Sequence, residues 1–241
     1  MKNLKNKTVA DVVTENIKTA DVFKKHGIDF CCGGGISLEK ACSKNNIDYN
    51  LLISELSNLS TKTSSSTNFN SWKLDFLIDY IVNEHHKYVE ENIPLLKQYA
   101  AKVAKVHGHF YKELIEINDL IITVSNELTT HMKKEELILF PFIKKLVKAN
   151  NEGRSVSIPH FGTINNPINM MEEEHDDAGE IFKRISQLTN KYSTPEGACN
   201  TFKALYSKLE EFEDNLHQHV HLENNILFLK ARKLELIVDN E

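Results

Sequence analysis

Residues 131–140 read "HMKKEELILF", and residues 219–228 read "HVHLENNILF". Each copy sets a histidine four positions before a glutamate and follows the pair with an apolar run. In a helix, positions i and i+4 share a face. An imidazole and a carboxylate therefore point the same way in both copies, at the edge of a stripe that folding must bury. Burying a lone carboxylate costs several kcal/mol unless a partner offsets its charge. The pattern predicts two helices, a buried polar cluster and a compensating group.

The match runs on past the motif. At a constant offset of 88, Ile138, Leu139, Phe140, Lys145 and Leu146 meet Ile226, Leu227, Phe228, Lys233 and Leu234. One helix earlier stands a further histidine in each half, His175 in the second and His85 or His86 in the first; His86 and His175 are 89 apart. Apolar residues at helical spacing surround all of these: Leu74, Leu77, Ile78 and Ile81 before the first, Leu120, Ile121, Val124 and Leu128 before His131. Ala178, Phe182 and Ile185 share the face of His175, and Leu205, Leu209, Phe212 and Leu216 lead to His219. Four long amphipathic helices joined by modest loops predict an antiparallel four-helix bundle over residues 72–241, with kinks at Pro94 and Pro141 and a pseudo-twofold axis.

Upstream, residues 1–60 predict a small helical domain. Thr8 opens a capping-box pattern, Gly27 fits a left-handed helix stop, and Ser37 and Asp48 suit N-caps. Residues 61–71, "TKTSSSTNFNS", have the composition of a polar linker. With nine glycines and five prolines in 241 residues, breaks are too few for a many-stranded sheet, so the whole chain is expected to be all-α. A net charge of −5 argues against nucleic acid as the main partner. No apolar run approaches the ~20 residues that span a bilayer, and no signal-peptide pattern opens the chain, so a cytoplasmic location is expected.

Four histidines and two glutamates meeting in a bundle core predict a two-metal site. Imidazole suits iron, zinc, copper or nickel, and a carboxylate bridges two ions. Each ion would take two histidines, with Glu135 and Glu223 bridging. Periodicity admits either His85 or His86, and the internal match of "EHH" to "EHD" favours His85. Glu127 and Glu174 are placed either to support the ligands or to sit in solvent. His217 and His221 flank His219 on other helix faces and are expected to face solvent, as are His107, His109 and His160. Cys42 and Cys199 are expected to be structural. Cys31 and Cys32, adjacent and followed by three glycines, are expected to form a functional thiol pair, since neighbouring cysteines rarely bond to each other.

The stretches "DFCCGGGISLEKA", "HMKKEELILFP", "EEHDDAGE" and "HLENNILF" together resemble the iron–sulfur cluster repair di-iron family of the ScdA and YtfE type, whose C-terminal domain is hemerythrin-like. The resemblance spans nearly the whole chain. It implies ligands at His86, His131, Glu135, His175, His219 and Glu223, with Cys31 and Cys32 as the vicinal pair. It further implies two non-haem iron ions with carboxylate and oxo bridges, a homodimer, and damaged iron–sulfur proteins as partners. Iron donation is the function it favours. A nitric oxide reductase or peroxidase, or a carrier or sensor of oxygen or nitric oxide, are the alternatives.

Overall fold

A computed structural model describes residues 4–60 and 67–238. Their secondary structure is helical, and among the described residues one bridge between extended residues, Thr8 to Ser37, is present. Four short helices come first: α1 (Val9–Glu15), α2 (Thr19–Lys25), α3 (Leu38–Asn45) and α4 (Tyr49–Ser60). Their ends follow the local chemistry. The Thr8 hydroxyl accepts from Asp11 N while the Asp11 carboxylate accepts from Thr8 N, a reciprocal cap. Ser37 caps α3, Asp48 accepts from Asn50 N and Leu51 N at the start of α4, and Gly27 takes φ +67° after α2. Val9, Val13, Phe23, Leu38 and Leu52 form the core of this unit.

Residues 61–66 of the expected linker lie outside the described residues. Residues 69–71, at its end, wind into a 3₁₀ turn that buries Phe69 against Trp72 and Tyr80.

Four rods follow, and the all-α expectation holds. Rod one joins α5 (Leu74–Tyr80) and α6 (Lys87–His107) through a π-helical turn at Ile81–His86. Rod two joins α7 (Glu113–Lys134) and α8 (Phe140–Glu152) through a π turn at Glu135–Leu139. Rod three is α9 (Asn165–Leu188), and rod four joins α10 (Asn200–Leu222) and α11 (Phe228–Val238) through a π turn at Glu223–Leu227. α6 packs against α7 and α10, and α7 against α9. The first turn of α9 is tied to α11: Glu235, buried, accepts from Ile164 N and from the Thr163 hydroxyl, both at 2.7 Å.

Pro94 sits inside α6 without breaking it, and Pro141 is the second residue of α8. The π turn before Pro141 recurs before Leu229, which is not proline. Proline is therefore not what produces that turn.

The bundle core is not continuous. One apolar cluster includes Val89, Leu128, Ala178, Phe182 and Leu216, and a second includes Ile78, Ile81, Leu139, Phe140, Met171 and Phe228. Between them lies a buried layer of histidine and glutamate.

Candidate metal centre

Three of the four rods reach this layer at a π turn. His86 closes the first, Glu135 opens the second and Glu223 opens the third. A π turn spends one extra residue per turn and re-aims the side chains around it, which is why such turns recur at functional sites. The six side chains His86, His131, Glu135, His175, His219 and Glu223 are each at most 2% exposed.

They form two groups of four that share both carboxylates: His86, Glu135, His219 and Glu223, and His131, Glu135, His175 and Glu223. In the first, Nε2 of His86 lies 3.1 Å from Nε2 of His219 and 3.3 Å from Glu135 Oε2, while Glu223 Oε1 is 3.0 Å from His219 Nε2. In the second, Nε2 of His131 and His175 are 3.0 Å apart, Glu135 Oε2 is 3.4 Å from His131, and Glu223 Oε2 is 3.1 Å from His175. Two metal–nitrogen bonds of about 2.1 Å at a right angle place their donors about 3.0 Å apart. The spacing therefore fits neighbouring corners of a coordination shell around each of two ions.

Glu135 is fully buried, and neither of its oxygens has a hydrogen-bond partner. A carboxylate in that state is strongly destabilising unless a cation sits against it. The surrounding imidazoles carry part of the load. Burial opposes charge on His86 and His175, but Glu135 and Glu223 outweigh it and raise them to about 11 and about 9. Burial lowers His219 to about 3. For Glu223 burial is again outweighed, here by His219, His175 and His86, which hold its carboxyl well below the ordinary range. Protons thus stand where cations would, and a metal would have to expel them.

The far ring nitrogens are also placed. Nδ1 of His86 faces Glu136 Oε1 at 2.7 Å, Nδ1 of His131 faces Glu174 Oε2 at 2.8 Å, and Nδ1 of His175 faces Asn224 Oδ1 at 2.9 Å. Each acceptor keeps the proton on Nδ1 and turns Nε2 inward. Glu174, held in turn by Lys134, takes the supporting role that the sequence left open; Glu127 is solvent-exposed. Glu136 and Asn224 were not anticipated. Each directly follows a shared glutamate and the two are related by the same 88-residue offset, a signal the repeat carried.

His86 enters the cluster and His85 does not. His85 is buried beside it, its ring parallel to His219 at 5.5 Å and its Nδ1 3.1 Å from Asn215 Oδ1. Phe140 and Phe228 stack on His86 and His175, extending the pseudosymmetry to the apolar wall.

Two expectations are corrected. His217 and His221 do not face solvent: His221 is 1% exposed and His217 half-buried, because Phe30 of the N-terminal unit packs edge-on against both rings. Asn225 donates to His221 and to the carbonyl of Cys31 at 2.9 Å, and α1 packs on the third π turn. Cys199 is exposed rather than structural, 3.2 Å from His107 Nε2.

This docking brings the cysteine loop to the bundle. Asp29 accepts from the backbone of Cys31, Cys32 and Gly33, winding the loop tightly. A Cβ on Gly34 would lie 2.4 Å from Phe30 O, so only glycine fits there. Cys31 and Cys32 are free thiols. Cys31 is buried, and its hydrogen bond with Cys32, then burial, then Asp29 raise its thiol well above the ordinary value. Cys32 is half-buried, with Sγ 4.0 Å from Nδ2 of Asn224, the residue that also holds His175.

Comparison with known proteins agrees with this arrangement. Residues 77–231 match the family described as hemerythrin HHE cation binding domain, and residues 5–60 match ScdA_N, a domain of unknown function. The chain is 38% identical to the iron–sulfur cluster repair protein ScdA of Staphylococcus epidermidis over 94% of its own length and 98% of the relative's. It is equally 38% identical to the iron–sulfur cluster repair protein YtfE of Yersinia pseudotuberculosis over 89% of its length and 91% of the relative's.

Proposed function

We propose, for a chain that belongs to the family of iron–sulfur cluster repair proteins of the ScdA and YtfE type, that the bundle holds two iron ions and delivers iron to damaged iron–sulfur clusters. One observation carries this: two buried groups of four donors share a pair of carboxylates, one of which has no other partner. His86 and His219 would hold one ion, His131 and His175 the other, and Glu135 and Glu223 would bridge them. Iron supplies redox chemistry and exchangeable coordination. The protein holds the donors at fixed separations, excludes water with Phe140 and Phe228, and fixes the tautomers of His86, His131 and His175.

With four protein donors each, the two ions would keep positions open to outside molecules. That supports a second reading, in which a small molecule such as nitric oxide or oxygen binds or reacts there. The cysteine loop favours delivery, because it sets the Cys32 thiol one amide away from His175.

The test is iron content together with repair. Purified protein should carry two irons per chain, and His131→Ala or Glu223→Ala should each remove at least one. Unchanged iron in both variants would sink the ligand set. Iron-loaded protein should reactivate a damaged cluster enzyme with stoichiometric loss of its own iron. Steady nitric oxide consumption at constant iron content would favour the second reading instead.

A further inference from the structure

The sequence repeat relates the two halves of the centre, yet their outer supports are unequal. Glu136 and Asn224, paired by the offset of 88, do equivalent work at His86 and His175. By the offset of 89, His85 is the counterpart of Glu174. Glu174 accepts from His131 Nδ1, so the equivalent task at His219 falls to His85. His85 does not perform it: it lies parallel to the His219 ring, tilted by only 7°, and spends its own Nδ1 on Asn215. The result is two buried nitrogens without hydrogen-bond partners, His219 Nδ1 and His85 Nε2.

An acceptor on the far nitrogen orients a ligating imidazole and raises its basicity, and losing one typically costs about 10- to 100-fold in metal affinity. Both imidazoles of the His131–His175 pair have that support. In the His86–His219 pair only one does. Access differs in the same sense. Glu136, the support of His86, lines a surface groove of about 210 Å³ with Ile78, Val82, Phe140, Pro141 and Lys144. Asn224, the support of His175, lies against Cys32 of the docked N-terminal unit.

We infer that the two metal positions are inequivalent: the position between His131 and His175 fills first and empties last, and that between His86 and His219 holds the exchangeable ion. The inference rests on the ligand set proposed above. It names the ion that would be handed over.

The experiment is to load the full chain with one equivalent of ferrous iron without oxygen, crystallise it, and compare anomalous scattering at the two positions. About ten-fold higher occupancy between His131 and His175 is expected. Glu174→Ala, at a partly exposed residue, should bring the two occupancies close together, and His85→Glu should do so from the other side by supplying the missing acceptor. In solution, a chelator should remove one ion of a fully loaded chain in a fast phase that His85→Glu slows. Equal filling in the wild type, with a second equivalent still bound, overturns the inequality and leaves the two-iron reading intact. Iron at neither position overturns both.

Discussion

At the scale of the residue, the centre is a problem of charge that neighbouring groups solve only in part. With His86 raised to about 11 and His175 to about 9, both are protonated at neutral pH when no cation is bound. Metal binding at neutral pH must therefore expel about two protons per chain, so apparent affinity should rise steeply with pH to about 9, less steeply from there to about 11, and fall in acid. Titrating metal-free protein with ferrous iron in weak buffer containing an indicator dye measures that release; no acidification would mean the imidazoles were neutral beforehand. Five of the six clustered side chains, all but His86, were legible because repetition at a fixed offset is non-random information that a single His–Glu pair lacks; at the sixth the repeat favoured His85. His217 and His221 were misread, because what covers them is Phe30, nearly 200 residues away in sequence, and helical periodicity carries no trace of such a neighbour.

At the scale of the element, the rods followed from apolar spacing, while the π turns inside them did not. A π turn advances each residue by a smaller angle than an α turn, so a face drawn at 3.6 residues per turn drifts by about one position across it. The turn at Ile81–His86 lies on the ambiguous pair, which is why periodicity could not separate His85 from His86. Deleting Leu137, a 75% exposed residue of the second π turn, should restore α geometry there. The expected outcome is a bundle that keeps its helical circular dichroism but re-aims Glu135 and binds less than one metal ion per chain. Full metal loading in the deletion variant would show that the π geometry is not needed to place that carboxylate.

At the scale of the molecule, the N-terminal unit and the bundle meet on the fourth rod. Phe30, only 6% exposed, is the apolar centre of the contact, and Lys24 pairs with Asp214 at its edge. Phe30→Ala should cost about 3–5 kcal/mol of local stability. Hydrogen exchange should then accelerate across residues 217–225 while the opposite rods stay protected. Uniform exchange in the variant and the wild type would mean the docking is held by something else. The N-terminal helix starts were readable from the capping residues Thr8, Ser37 and Asp48. The docking face was not, although the two copies of the repeat differ where it forms: Lys133, Glu136 and Leu137 in the first become His221, Asn224 and Asn225 in the second.

Asn224 spans two worlds with one short side chain, its oxygen on an imidazole of the metal centre and its nitrogen toward a thiol. Whatever happens to sulfur at that loop, whether oxidation, alkylation or capture by another polypeptide, tugs on the same amide. The colour and magnetism of a loaded centre should then change when Cys32 is engaged, giving a spectroscopist an internal gauge of when the protein has found something to mend.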